Sequence, residues 1–232
     1  VTTLILVRHG QASFGSSNYD QLSSLGARQS RVLGEYWARL KFSFDAVYSG
    51  DMARQKSTAE QVLAGMNASG ADVLTSAALN EYEFEAILRA YIPQVAREQP
   101  QLGIERGGLY NNPKLFQAAF DGAIQKWLLN HPHDHPPFES WQDFHTRCRS
   151  GFAEIANAER KCVVAFTSGG VIAVALREAL GLSDEVTLRQ NWRIYNGSVH
   201  AFRMGRSGLT LLGYNNVAHF ELSGDKELIT FR

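Results

Sequence analysis

Two runs, Leu4-Ile5-Leu6-Val7 and Lys161 to Thr167 (KCVVAFT), are continuously apolar in their middles and only four to seven residues long. Runs of this kind, without polar alternation, belong to strands covered on both faces, which is the condition of a parallel sheet layered between helices. The rest of the chain supplies the layers. From about Leu25 to Leu40, the residues Val32, Leu33, Tyr36, Trp37 and Leu40 recur at three- and four-residue spacing and line one helix face. Phe44 to Tyr48 reads as a second strand, and Asp51 is a candidate N-cap for a helix to about Leu63. Val73-Leu74 reads as a short strand, and an apolar helix follows from Val171 to Leu180. Ser198 to Met204 and Leu209 to Tyr214 form a hairpin around Gly205-Arg206-Ser207-Gly208. Strand and helix alternate, so the expected class is α/β: a mostly parallel sheet flanked by helices on both faces.

The segment from about Tyr82 to Ser140 breaks this alternation. It is helical from Leu115 to Leu129, carries Pro93, Pro100 and Pro113, and ends in the loop HPHDHPPF. A long insertion in a compact domain is commonly functional, so a helical lid at about 82–140 in a single domain spanning 1–232 is the expectation. Lys plus Arg equals Asp plus Glu at 23 each, which gives no global field for nucleic acid or an acidic membrane. Any anion site must be local. Two cysteines, Cys148 and Cys162, are too few for a disulfide scaffold, and no run approaches the roughly 20 apolar residues of a bilayer span. Val1-Thr2-Thr3 has no basic n-region. A reduced, cytoplasmic protein is therefore expected, with monomer and oligomer both open.

Three stretches place unusual chemistry where strands end, and the carboxyl edge of an open α/β sheet is where ligands bind. Arg8-His9-Gly10 follows the first strand. Ser49-Gly50-Asp51-Met52-Ala53-Arg54 follows the second and puts Arg54 in the first turn of a helix. Thr167-Ser168-Gly169-Gly170 follows KCVVAFT and opens another helix. Arginine's planar fork matches phosphate bidentately, and helix N-termini aim N–H groups at anions. Two arginines converging on a histidine describe a phosphoryl site: His9 attacks phosphorus while Arg8 and Arg54 hold the oxygens that gain charge. Gly10 would let main chain and ligand approach closely. A departing alkoxide needs a proton, and Glu81, in Leu79-Asn80-Glu81, stands at a comparable strand end. Glu83 and Glu85 lie close enough in sequence to compete for that role.

The ordered series of motifs resembles the histidine phosphatase superfamily, the phosphoglycerate-mutase-like group. LILVRHGQ, LSSLGARQS, VYSGDMARQKSTAE, LNEYEFE, FESWQDFHTRCRSGF, VVAFTSGGVIAVAL and NGSVHAF follow one another in the family's order over most of the chain. The resemblance implies His9 as the phosphorylated nucleophile, Arg8 and Arg54 as phosphate ligands and Glu81 as general acid. It also implies a small phosphorylated substrate, no metal and no other cofactor. One position departs from the family pattern: Ser168-Gly169-Gly170 stands where a second histidine followed by Gly-Gly is usual. A hydroxyl gives one hydrogen bond and carries no imidazolium charge, and losing one such donor costs on the order of 10²–10³ in rate. Ser168 and the N–H of Gly169 then become the phosphate contacts at that helix start. His219 is a candidate stand-in for the absent imidazole.

Other readings compete. A phosphomutase is disfavoured because Phe14-Gly15 stands where the related mutases have Trp-Asn. The departure at Ser168 fits a catalytically impaired phospho-ligand binder. A serine hydrolase built on Ser168 with His200 or His219 as base lacks the Gly-x-Ser-x-Gly elbow, since Phe166 stands two residues before the serine. His131, His133, Asp134 and His135 are metal-type side chains, but the interleaved prolines favour a solvated turn. Arg89, Arg97 and Arg106 of the insertion are candidates to meet an anionic substrate, with a solvated face the favoured reading for each.

Overall fold

A computed structural model describes residues 1–13, 20–104, 109, 112–129, 138–206 and 208–231. Six strands form one mixed sheet in the order β3-β2-β4-β1-β5-β6. They are β1 (Thr2–Arg8), β2 (Ala46–Ser49), β3 (Val73–Thr75), β4 (Cys162–Thr167), β5 (Val199–Gly205) and β6 (Gly208–Asn216). The pairs β1–β4, β2–β4 and β2–β3 are parallel, whereas β1–β5 and the β5–β6 hairpin are antiparallel. Among the described residues, eight α-helices accompany the sheet: α1 (Ser24–Arg39), α2 (Ala53–Gly65), α3 (Phe84–Glu98), α4 (Pro113–Leu129), α5 (Trp141–Asn157), α6 (Gly169–Leu180), α7 (Asp184–Asn191) and α8 (Ala218–Ser223). The α/β class expected from the apolar runs is the class observed.

The two continuous apolar runs are adjacent central strands, with Leu4 opposite Val163 and Leu6 opposite Ala165. Their alternate residues serve two cores. Ile5, Val7, Val47, Val164 and Phe166 pack with Leu33 and Trp37 of α1 and Ala59, Val62 and Leu63 of α2. Leu4, Leu6, Val163 and Ala165 are equally buried on the other face. Right-handed crossovers explain the division. The steps from β1 to β2 to β3 move one way along the sheet and carry α1 and α2. The return from β3 to β4 moves the other way and ends in α5. There, Arg149 of α5 pairs with Glu178 of α6 at 3.0 Å.

The chain divides into two compact units: Val1–Glu81 with Arg147–Arg232, which holds the whole sheet, and Tyr82–Thr146. The second unit has its own aromatic core, in which Trp127 lies 4.9 Å from Tyr82 and 5.6 Å from Trp141, ring centre to ring centre. The buried indole donates to the Glu139 carbonyl at 3.0 Å. Two local expectations are corrected. Pro93 lies inside α3, a helix the sequence reading left out. The apolar residues Ile87, Leu88 and Val95 are buried there, and their burial outweighs the one intrahelical bond a proline removes. The N-cap of α2 is Met52, not Asp51. Asp51 is instead tied by its main-chain N–H to Asn80 Oδ1 at 2.6 Å, and the helix's first N–H groups find another carboxylate.

Candidate active site

His9 follows β1 directly. Its main-chain N–H donates to Thr167 O at 2.9 Å, continuing the β1–β4 ladder one residue past the strand. Its Nδ1 stands 2.7 Å from Gly10 O. A carbonyl only accepts, so Nδ1 carries the ring proton and Nε2 carries the lone pair. The Arg54 Nε–H donates to that lone pair at 3.2 Å. The ring is 5% exposed. Burial first, then the charges of Arg54 and Arg8, hold its pKa well below the usual 6.5, against a smaller opposing pull from the Gly10 carbonyl. His9 is therefore a neutral imidazole with an oriented Nε2.

Arg54 occupies the second position of α2 and is itself buried. Asp20 fixes it: Asp20 Oδ1 accepts from an Arg54 guanidinium nitrogen at 2.8 Å, while Oδ2 accepts from Ala53 N–H at 2.8 Å. This is the carboxylate that serves the α2 N-terminus, where a negative charge is favoured by the helix dipole. One turn on, the Thr58 hydroxyl donates to Arg54 O at 2.7 Å and accepts from Gly10 N–H at 3.1 Å. A Cβ on Gly10 would stand 2.3 Å from Gly26 O, so the room left by the missing side chain is filled by α1 main chain.

The third stretch meets the first two through a buried amide. Ser168 is the N-cap of α6 and wholly buried. Its Oγ accepts from Gln55 Nε2 at 2.8 Å, and the same nitrogen donates to Leu79 O at 3.0 Å. Gly170 N–H, in the first turn of α6, donates to Glu81 Oε2 at 3.1 Å. Gly169 abuts Asn191 of α7, whose Oδ1 would lie 2.0 Å from an added Cβ. Arg147 of α5 donates to Ala77 O at 2.8 Å and Asn80 O at 3.1 Å, which anchors the turn leading to Glu81.

Arg8 directs one guanidinium nitrogen to Ile194 O and to Phe231 O, the latter at 3.0 Å, and its charge is felt by both His9 and His200. His219 packs between Tyr36 of α1 and Phe220 of α8, with ring centres 6.1 and 4.0 Å away. That position is on the α1 face, while Ser168 opens α6. Among the described residues, its ring nitrogens make no side-chain hydrogen bond, and the Gly197 main chain opposes the effect of burial. Burial lowers its pKa to about 4. His200 lies in β5, its Nε2 at 2.9 Å from Ser198 Oγ and its Nδ1 accepting from Asn215 N–H at 3.2 Å. Neither histidine is paired with Ser168, whose hydroxyl meets an amide donor rather than a base. The HPHDHPPF histidines, Arg106 and Phe14-Gly15 lie outside the described residues. Among the described residues, no group of three or more His, Cys, Asp or Glu side chains could hold a metal ion, and no helix is long and apolar enough to cross a membrane.

His9, Arg54, Ser168 and Glu81 thus converge at the carboxyl edge of the parallel strands, beside the N-termini of α2 and α6. Asp20, Gln55, Thr58 and Arg147 join them without having been singled out in the sequence. Arg54, Gln55 and Thr58 do share the i, i+1, i+4 spacing of one helix end. A neutral imidazole beside a fixed guanidinium and two helix N-termini is a constellation for an anion that a nitrogen can attack.

That constellation, on a sheet of this topology, defines an α/β protein of the phosphoglycerate-mutase type. Residues 4–107 and 104–217 match the histidine phosphatase superfamily (branch 1), and the chain belongs to that family. Among curated proteins it is similar to the 2,3-bisphosphoglycerate-dependent phosphoglycerate mutases of Allorhizobium ampelinum and Bartonella tribocorum. The identities are 28% and 30% over 88 residues, 35% of this chain and 42% and 43% of those proteins. The matched stretch therefore spans less than half the length of these relatives. Among solved structures, the phosphoglycerate mutase of Bacillus anthracis superposes with a TM-score of 0.66 at 17% identity, covering 97% of each chain. A mycobacterial glucosyl-3-phosphoglycerate phosphatase gives 0.60 at 20% identity over 93% of this chain and 99% of that one. A phosphoserine phosphatase of Entamoeba histolytica gives 0.59 at 18%, over 94% and 99%. Identities this low establish the fold. The structural neighbours include both phosphatases and mutases.

Proposed function

We propose that the chain is a phosphomonoesterase that works through a phosphohistidine on His9. The observation that carries this reading is the state of the imidazole: Nδ1–H committed to Gly10 O, Nε2 bearing the lone pair, and Arg54 donating beside it. In the first step Nε2 attacks phosphorus, the bond from phosphorus to the ester oxygen breaks, and protonated Glu81 gives its proton to the departing alkoxide. In the second, Glu81 as carboxylate takes a proton from water as the water oxygen attacks phosphorus. The nitrogen–phosphorus bond then breaks and phosphate leaves. Arg54 and the charge of Arg8, with Ser168 and Gly169 at the start of α6, balance charge on the phosphoryl oxygens. This scheme uses no metal. The substrate is a small phosphorylated molecule.

The second reading is a phospho-ligand binding protein of the same fold with impaired turnover, favoured by the neutral, wholly buried Ser168. Hydrolysis of 4-nitrophenyl phosphate by wild type and His9→Ala separates the two. The phosphatase reading expects measurable wild-type turnover that falls by roughly 10³-fold or more in the variant. Equal inactivity of both proteins would hand the case to the binding reading.

A further inference from the structure

Gln55 carries its whole polar inventory into a buried site. The residue is 0% exposed. Its amide nitrogen has two protons and uses both: one on Leu79 O at 3.0 Å, the other on Ser168 Oγ at 2.8 Å. Its amide oxygen accepts from Met52 N–H at 3.4 Å, across the N-terminus of α2. Burying an amide this completely is costly unless every bond is made, and here every bond goes to an element that carries a candidate site residue. Met52 precedes Arg54 by two positions. Leu79 precedes Glu81 by two. Ser168 precedes Gly170 by two, and Gly170 N–H holds the Glu81 carboxylate. Thr167 adds a second bond to Leu79 O at 2.6 Å from the last position of β4.

We infer that Gln55 is a positioning residue that sets the Glu81 carboxyl relative to the phosphate clamp, with Ser168 as its relay. This rests on the reading of Glu81 as the proton donor. Arg54 does not depend on Gln55, because Asp20 and Thr58 hold it independently. Loss of the Gln55 amide therefore loosens the turn of Glu81 against the start of α6, since Thr167 and Arg147 tie that turn to β4 and α5, while leaving the guanidinium beside His9. In this arrangement Ser168 serves as an acceptor for the brace.

The separation of proton donor from clamp gives a signature that general loss of structure does not give. A leaving group that departs readily as an anion needs little protonation, whereas an alkyl leaving group needs it fully. Gln55→Leu keeps size and loses the bonds. Its kcat for an alkyl phosphate such as glycerol 2-phosphate falls roughly 100-fold, the scale of a displacement of about 1 Å in a catalytic group. Its kcat for 4-nitrophenyl phosphate falls less than about fivefold, and inhibition by inorganic phosphate is unchanged. Equal losses on both esters overturn the inference. Amide exchange reads the brace without turnover: Gly170 N–H exchanges at least tenfold faster in Gln55→Leu, while amides in the middle of α2 do not change. Unchanged Gly170 exchange overturns the inference even in a protein with no activity. Absence of His9-dependent hydrolysis of either ester, with Gly170 exchange raised, sinks the phosphatase reading and leaves the brace standing.

Discussion

Arg54 is gripped from two sides, and the two grips differ in kind. On one side its Nε–H meets the His9 lone pair, an interaction that a substrate phosphoryl group must share or replace. On the other side Asp20 holds a guanidinium nitrogen at 2.8 Å, with the arginine side chain 5% exposed and the aspartate 40% exposed. A pair with one partner this buried is less screened than a surface salt bridge, and its geometry is bound to the α2 N-terminus through Ala53 N–H. Asp20 therefore aims the clamp. Asp20→Ala is expected to lower kcat/KM for 4-nitrophenyl phosphate about tenfold, the value of one charge-assisted hydrogen bond, mainly through a higher KM. A rise in kcat/KM would mean that the carboxylate occupies the phosphate position and must be displaced, which sinks the aiming role.

The strands and helices that build the sheet unit answer to signals that sit within a few residues of one another. Leu4 to Val7 and KCVVAFT have the composition of strands covered twice, and they are the central parallel pair. The three-and-four spacing of Leu33 and Trp37 marks the face of α1 that is buried. His9 and Arg54 were legible because a strand end and a helix start each displayed one residue beside a turn. Asp20, Gln55 and the cap of α2 were not, because their partners are 34 and 113 residues away and no local pattern links Asp20 to Arg54 or Gln55 to Ser168. The helix through Pro93 was missed for a related reason: proline is read as a local breaker, and burial elsewhere along α3 decides otherwise. One close approach between elements is itself testable. Gly10 and Gly26 bring the end of β1 against the start of α1, and a Cβ on Gly26 would lie 2.1 Å from Gln11 O. Main chain cannot yield as a flexible side chain can. Gly26→Ala is expected to cost about 2–3 kcal/mol in urea unfolding. Gly70→Ala, with open space around the added carbon, changes stability by less than about 0.5 kcal/mol. Equal stability of the two variants would mean that the contact between β1 and α1 relaxes freely.

At the scale of the whole molecule, the distribution of histidines sets the response to acid. Among the described residues, three histidines are buried with lowered pKa values: His9 by burial and two arginines, His200 to about 3 by burial and Arg8, and His219 to about 4 by burial. Each is neutral when folded and takes up a proton near pH 6.5 when unfolded. In the window below 6.5 the unfolded chain binds more protons, so stability is complete above that pH and is lost as pH falls. The carboxylates with lowered values, Asp45 and Glu98, act only at more acid pH and leave this window to the histidines. His200 and His219, at about 3 and about 4, each cost about 1.4 kcal/mol per pH unit, on the order of 4 kcal/mol together between pH 6.5 and 5, and His9 adds to the loss in the same direction. That is a large share of the stability of an ordinary domain. His219 isolates the effect, because no charged group contributes to its shift and its ring neighbours Tyr36 and Phe220 are aromatic. His219→Phe keeps the aromatic packing and removes one titrating group. Urea unfolding at pH 7 and pH 5 should therefore show the loss between the two pH values shrinking by about 2 kcal/mol, the share of one such histidine, whatever the substitution does to stability at pH 7. The difference between the two pH values is the quantity that decides. An unchanged difference would place the acid sensitivity of this fold outside its buried histidines.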